Sequence, residues 1–590
     1  MVWDRATAHG TVPTPLTNFT TRIREQISHD DGEEQRTVFE IEARLRDRTH
    51  QFSVPAERFV SMNWPVEHLG AAAIVYPGTT VKDHARAAIQ ILSGDPPRRV
   101  VYTHTGWRKI AGQWCYLHAG GGLGASGPVS GVEVDLPPAL EALRLPDPPA
   151  GGELREAVRA SLKVRSVAPP RVTWPLLASA FRAALGPSDF ADHVVGPTGA
   201  GKTELATLAQ QHFGSGFDAQ HLPGSWSSTG NSLEVLAFHA KDTLIVVDDF
   251  APSGAPQDVA RFHREADRYL RAQGNVSGRG RLAPDGTLRP IRRPRGLTVS
   301  TGEDVPRGQS LRARIFTLHV GPQDVDWSRL TEAQAAGREG LYARAMAGYV
   351  QWLAGRYGRL RGEIRETVEA MRRGLQGRSH RRTSTIEANL LLGVELFLEF
   401  AAEVGAVGEQ ERGRLREESA AAIAEAAAAQ EEHQRAAEPT RRFLELLRSA
   451  LASGDAHVAS VDGGPPDNPR AWGWRSRGVV LAGEEPVQCE PMGKRVGWTA
   501  GEEVYLDKDA AHRAAQAASG QAGEGLAIGS QTLVRRLKEQ GLLASLDPDG
   551  KHLEPRVVVE GVRRRVLHLK RATVLPSIQV PEPAQEGLLL

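Results

Sequence analysis

Ten residues restrict the fold of this 590-residue chain more than any others: Val194-Val195-Gly196-Pro197-Thr198-Gly199-Ala200-Gly201-Lys202-Thr203. A short apolar run passes into the spacing G-x-x-x-x-G-K-T, and a helix-forming stretch, Glu204 to Phe213, follows it. Strand, glycine-rich loop and helix in that order commit the surrounding chain to an α/β core. The glycines let the backbone curl so that successive N–H groups face a β-phosphate, and the helix N-terminus adds its partial positive charge. Lys202 is placed to reach the β- and γ-phosphates, and the Thr203 hydroxyl to bind Mg²⁺. Gly196, Pro197, Thr198, Gly199, Ala200, Gly201, Lys202 and Thr203 are therefore the expected nucleotide-binding residues, with ATP and Mg²⁺ the expected ligands. The competing reading, a chance glycine-rich loop, does not account for the flanking strand and helix.

Composition narrows the partners. Lys plus Arg number 72 against 71 Asp plus Glu, so any nucleic-acid surface must be local. Cys115 and Cys489 are the only cysteines, far apart, with no C-x-x-C spacing or neighbouring histidine ligands. A zinc site or disulfide framework is not expected, and a reducing cytoplasm fits. No apolar run reaches the about 18 residues a membrane helix needs, and the N-terminus lacks a charged-then-apolar signal. The reading is a soluble cytoplasmic protein with no membrane partner.

The length allows three or four domains. Residues 1–135 read as an α+β domain rich in strands: Thr37 to Ala43 and Thr49 to Pro55 alternate in period two, and Asp83 to Leu92 reads as a helix. Thr105 to Arg108 and Gln113 to His118 read as two strands joined by a turn at Ala111-Gly112. Residues 136–152 read as a linker from their proline and glycine content. Helix and strand alternate over 153–322, the expected P-loop ATPase domain. Residues 323–438 read as helical, and Ala420 to Ala437 as one exposed or coiled helix. Residues 439–575 form the last expected domain. There a helix after Ser530, taken as its N-cap, carries Arg535, Arg536 and Lys538, and the strands Arg556 to Val559 and Arg565 to Leu569 flank a basic turn. Helix, strand and strand with this charge resemble a winged helix, and 576–590 read as a disordered tail. The overall expectation is an α/β P-loop NTPase core of AAA+ or helicase type, with an N-terminal β-rich domain, a helical region and a C-terminal winged-helix domain.

The second half of the chemistry lies some 45 residues past Lys202, where Thr243-Leu244-Ile245-Val246-Val247-Asp248-Asp249 reads as a buried strand ending in two carboxylates. Asp248 is placed to hold Mg²⁺ through water and Asp249 to polarise the attacking water. A third strand, Gly296 to Gly302, is expected beside the first two, its polar end offering Ser300 or Thr301 as a sensor of the γ-phosphate. In Ser310-Leu311-Arg312-Ala313-Arg314-Ile315-Phe316, two arginines at period two are expected on one face of a strand, where they can stabilise charge on the transferred phosphoryl group in their own subunit or a neighbour's. Surface ion pairing is the plainer reading of the same pair. Between the second and third strands, Pro284-Asp285-Gly286 signals a tight turn, and its arms carry Arg279, Arg281, Arg289, Arg292 and Arg293 opposed only by Asp285. Phosphate contact is one use of such a hairpin; a solvated hairpin or a subunit contact is the other.

Leu16-Thr17-Asn18-Phe19, Met62-Asn63-Trp64, Thr105-Gly106-Trp107-Arg108, Leu117 to Gly121, the P-loop, Ser300-Thr301-Gly302-Glu303 and Ser310 to Arg314 together resemble the P-loop proteins grouped as domain of unknown function, family 927. The likeness spans about residues 14–575. Members resemble the helicase halves of primase-helicases on phages, plasmids and integrated elements. The resemblance implies ATP-driven unwinding or translocation by a hexameric ring; single-stranded DNA is the expected partner of such a motor, and whether a separate primase or replication initiator works with it is left open by the sequence. The paired Asp248-Asp249 also looks like superfamily-3 helicases, which place a basic DNA-gripping hairpin ahead of the sensor strand; Ser300 and Thr301 stand where those enzymes usually have Asn. The alternative is a non-motor switch, in which ATP sets the oligomeric state and the winged helix holds DNA or a protein.

Overall fold

The structure, a computed structural model, describes every residue except 279, 283–287, 290, 376–380, 437, 477–488, 523–525, 527, 550–551 and 576–590. The chain divides into two compact units, Met1–Glu431 and Glu432–Leu590.

Five parallel strands carry the P-loop, in the order Gly224–Ser225, Leu244–Phe250, Leu297–Gly302, Ala191–Val195, Ile315–His319. The P-loop strand, Ala191–Val195, is buried along its whole length, as a parallel strand covered on both faces must be. The sensor strand, Leu297–Gly302, lies between the P-loop strand and the acidic strand Leu244–Phe250, so P-loop and acids face each other across its end. Helix Pro170–Ala183 is buried from Val172 onward and packs into the same core as helix Lys202–Gln210, which follows the P-loop.

Two segments expected at the surface belong to this core instead. Within 136–152, Leu136, Leu140, Leu143 and Leu145 are all buried. The prolines there shape a route between leucine anchors, so the stretch is not a free linker. Helix Glu409–Ala436 buries Ala422, Ile423, Ala426 and Ala427, a stripe at helical spacing, and is not an exposed spacer. Its Gln430 is buried: the amide oxygen accepts from Thr317 N–H at 3.0 Å, and the amide nitrogen donates to the Arg312 and Ile315 carbonyls at 2.8 and 3.0 Å. That side chain satisfies the open edge of strand Ile315–His319.

The N-terminal region is built in two parts. A five-stranded sheet, ordered Glu133–Val134, Arg98–Tyr102, Phe19–Asp30, Gln35–Leu45, Arg48–Pro55, covers its own core around Phe19, Ile41, Phe59 and Trp64. The hairpin Gly106–Ile110 and Gln113–His118 turns at Ala111 and Gly112, both at positive φ, and joins the ATPase core through Trp107 and Tyr116. Trp107 stacks on Tyr357 at 4.1 Å and its indole N–H donates to the Ala184 carbonyl at 2.7 Å, so it is a core residue.

In the C-terminal unit, helices Pro439–Ser453, Lys508–Ala522 and Ser530–Glu539 accompany a sheet ordered Ala456–Ser460, Lys494–Ala500, Glu503–Leu506, Leu567–Lys570. Two details differ from the sequence reading. Gly529 is the N-cap of the third helix, and the Ser530 hydroxyl donates to Asp509 at 2.8 Å. Arg556–Val559 pairs with Val562–Arg565 about a turn at Glu560-Gly561, so the basic run 563–565 is a strand of that hairpin, and Leu567–Lys570 joins the sheet. Among the described residues no helix is long and apolar enough to cross a membrane.

Candidate nucleotide site

The P-loop runs from Val195 into helix Lys202–Gln210. Gly199 and Gly201 both sit at φ +80°, a left-handed conformation that glycine adopts without cost. At Gly196 the constraint is space: a Cβ there would lie 2.2 Å from the Val320 carbonyl oxygen. Lys202 Nζ donates to the Pro197 carbonyl at 2.7 Å, inside its own loop, and the Thr198 hydroxyl donates to Glu303.

A bulge sets the acids. Val247 pairs with Ser300 and Phe250 with Gly302, so Asp248 and Asp249 together oppose the single residue Thr301. Asp249 takes φ +66° and is exposed; Asp248 is half-buried. The Thr301 hydroxyl donates to Asp248 and accepts from the Asp249 N–H at 3.1 Å. From the other side, Thr203 Oγ1 donates to Asp248 Oδ1 at 3.0 Å. Thr203, Asp248, Thr301 and Asp249 are thus one connected polar cluster spanning P-loop and acidic strand.

The donor set there is all oxygen, which fits Mg²⁺, a hard cation held by one or two carboxylates together with substrate phosphates. Among the described residues no group of three or more His, Cys, Asp or Glu side chains gathers to hold a metal by itself.

Ser300 does not join the cluster. Successive strand residues face opposite ways, and the Ser300 side chain lies fully buried, accepting from the Trp226 indole at 2.8 Å and bonded to His193 Nδ1 at 3.0 Å. Of the two sensor candidates, only Thr301 reaches the acids. His193 also meets the Asp304 carbonyl at 2.9 Å, and burial draws its pKa down to about 4, so it is neutral. Its neighbour Asp192 is fully buried and pushed up to about 7 by desolvation.

The two arginines part company with the sequence reading. Arg312 ends a short helical turn, Gln309–Arg312, and the strand begins only at Ile315, so Arg312 and Arg314 share no strand face. Arg314 is directed onto the end of helix Pro256–Asn275, donating from Nε and Nη2 to Asn275 Oδ1 at 3.0 and 2.8 Å.

Of the basic hairpin, Arg281–Leu282 pairs with Leu288–Arg289, while Arg279 and the turn 283–287 lie outside the described residues. Arg292 is exposed, 5.9 Å from the Phe238 ring, and Arg293 pairs with Glu33 at 3.5 Å. Glu33 is thus an acid that opposes these arms from outside the hairpin. In the C-terminal unit Arg535 and Lys538 are exposed, whereas Arg536 is half-buried against Glu438 at 3.9 Å.

Three further residues lie at the site to which the sequence reading assigns no role, although Glu303 closes one of its motifs. Trp226 braces the acidic strand, donating its backbone N–H to the Asp248 carbonyl at 2.9 Å besides holding Ser300. Glu303 holds Thr198. Trp327, 52% exposed, lies against the P-loop: a Cβ on Gly201 would be 3.5 Å from its ring and 3.2 Å from Val325. Asp326 fixes it by capping the helix Trp327–Arg338 through Ser328 and Arg329 N–H groups, and a tryptophan directly after an Asp cap is the signal the sequence offers for it.

Fold and site together define an α/β protein with a P-loop NTPase-like core. The solved structure of SCCmec type IV Cch, described as an active helicase, has the same overall fold: 96% of each chain is covered with a TM-score of 0.54 at 12% identity. A JCV helicase solved with a bound acetamide compound covers 41% of this chain and 66% of its own at 14% identity, with a TM-score of 0.22 that is too low to establish a shared fold. No protein-family model and no curated protein matches the chain, so the resemblance to family 927 rests on its motifs.

Proposed function

We propose that this chain is an ATP-hydrolysing DNA helicase or translocase that serves replication of a mobile genetic element as an oligomeric ring, hexameric by its resemblance. The observation that carries the reading is the connected cluster Thr203–Asp248–Thr301–Asp249 beside a complete P-loop. Backbone N–H groups of 196–203 and Lys202 bind the phosphates; Thr203 and Asp248 hold Mg²⁺, which neutralises phosphate charge when bound. Exposed Asp249 orients the attacking water, and Thr301 keeps both acids aimed. Trp327 supplies a face on which the nucleotide base stacks. Arg312 or Arg314 serves a neighbouring subunit's nucleotide. Single-stranded DNA is the track, gripped by the hairpin arms, with Arg535 and Lys538 of a winged-helix-like module giving further phosphate contacts. A separate primase or initiator completes the replication role. The free thiols of Cys115 and Cys489 suit a reducing cytoplasm.

The test is strand separation. A forked duplex carrying a fluorophore and quencher should open with ATP and not with the Lys202→Ala variant. ATP hydrolysis with no opening on forks of either polarity would favour the switch reading.

A further inference from the structure

The P-loop and acids occupy the C-terminal ends of the parallel strands. At the opposite ends, about 20 Å away by strand length, lies a cavity of about 430 Å³. It forms where Pro187, Lys241-Asp242 and Arg293 to Arg295 enter the sheet, closed by the hairpin residues Trp107 to Lys109 and Trp114 and by Tyr357 and Arg361. Six cations line it: Arg108, Lys109, Lys241, Arg293, Arg295 and Arg361. Three are already paired, Arg108 with Asp30, Lys241 with Asp242 and Arg293 with Glu33. Lys109, Arg295 and Arg361 make no direct ion pair among the described residues, although the charges of Glu33, Asp31 and Asp242 act on Arg295 from a distance.

Arg295 is the unusual one. It is 5% exposed, its Nε donates to the Phe238 carbonyl at 2.6 Å, and its guanidinium lies 3.7 Å from the Phe238 ring. Its Nη2 is buried with no hydrogen-bond partner among the described residues, and so is His104 Nε2 close by. Gly32, at φ +90°, keeps that corner open: a Cβ would stand 2.9 Å from His104 Nε2 and 3.1 Å from Arg295 Nη1. Burial draws the Arg295 guanidinium down to about 10, so it stays charged at neutral pH. A buried cation with an unpartnered donor, lining a cavity where six cations meet only Glu33 and Asp242, suits an anion.

We propose that this cavity holds a backbone phosphate of a single nucleic-acid strand, a second contact point that deepens, and rests on, the motor reading. A free anion would need only Arg295. The rim goes further: Lys109 and Arg361 are exposed, Arg361 lies 5.4 Å over the half-buried Trp114 ring, and Arg293 and Arg292 continue toward the basic hairpin. Cations interleaved with an aromatic ring are how sequence-tolerant single-strand grooves are made.

The experiment measures anisotropy of fluorescein-labelled dT30 with the full chain across a salt series, comparing wild type with Lys109→Ala/Arg361→Ala. Both side chains are exposed, and an unchanged thermal midpoint and DNA-free ATP turnover check folding. The double variant should bind at least about tenfold more weakly, with a log–log salt slope shallower by about 1.4, roughly 0.7 for each phosphate that the variant leaves without its cation. Affinity within twofold of wild type with an unchanged slope overturns the proposal. In a second arm, inorganic pyrophosphate at matched ionic strength should displace dT30 only at millimolar levels. Displacement at micromolar levels overturns the strand in favour of a free anion. If dT30 binding depends on this cavity but ATP turnover ignores DNA, the motor reading fails and the cavity assignment stands. If turnover reaches half of its DNA-stimulated increase at the same DNA concentration in wild type and double variant, the cavity assignment fails alone.

Discussion

Thr301→Val separates two side chains that differ by one position. The hydroxyl of Thr301, which is 1% exposed, holds Asp248 and accepts the Asp249 N–H. Valine keeps the volume and removes both bonds. A hydrogen bond to a charged group contributes about 1.5–3 kcal/mol, and the loss of the Asp249 N–H bond adds to this by releasing the turn that holds the second acid. Asp249 already occupies a left-handed conformation that costs of order 1 kcal/mol, so it is free to relax once its N–H is released. If about 2.5 kcal/mol of that is lost from positioning in the transition state, kcat falls roughly 70-fold. ATP affinity, set by the P-loop, should change less than about threefold. Thr301→Ser should restore most of the rate. Ser300→Ala is the contrast: it removes a bond to the Trp226 indole and to His193 in the core, so it should lower the denaturation midpoint with kcat within about threefold. Steady-state ATP turnover with a denaturant titration reads all three. Wild-type kcat in Thr301→Val, or an equal loss of kcat in Ser300→Ala, refutes the assignment of the sensor to Thr301.

Trp327→Ala should weaken ATP binding about tenfold by calorimetry while leaving tripolyphosphate binding unchanged, and Trp327→Phe should restore ATP binding, as about 1–3 kcal/mol of base stacking requires. Asp249→Asn should retain ATP affinity and fold, since Asn tolerates the left-handed backbone, yet lose turnover by at least about a hundredfold in a phosphate-release assay. Asp192, raised to about 7 in the fold against 3.8 unfolded, is bound to its proton more tightly in the native state. Its stabilising effect is therefore complete below about pH 4 and is lost as pH rises toward 7, at up to about 1.4 kcal/mol per unit. Asp192→Asn should gain stability over wild type progressively across that window in urea titrations. Comparing the two chains removes the contribution of His193, whose lowered pKa gives a dependence of opposite sign.

What is legible in the sequence is what local spacing encodes. The P-loop, its flanking strand and helix, the acidic strand and the Ala111-Gly112 hairpin all follow from nearest neighbours. Choosing Thr301 over Ser300 requires the strand register, because a shift of one residue exchanges faces, and the bulge at Asp248-Asp249 sets that register. Arg312 and Arg314 show period two in sequence, yet the chain closes a helical turn there and a strand only afterwards, held by Gln430 from 118 positions away. Prolines mark exposed chain as readily as chain threaded between buried leucines, and composition alone does not tell the two apart over 136–152. Glu560-Gly561 is a weak turn signal beside the run of arginines that follows it, so the sequence places that turn too late. The Arg295 cavity has no sequence signature at all, since its lining comes from well-separated parts of the chain.

The central claim is that ATP hydrolysis by this chain is coupled to a nucleic-acid strand. Its most direct measurement is the ATP turnover of the purified full chain with and without single-stranded DNA, beside Lys202→Ala. The account predicts turnover stimulated at least about tenfold by DNA and abolished by the substitution. Turnover that Lys202→Ala removes but DNA leaves unchanged would contradict it.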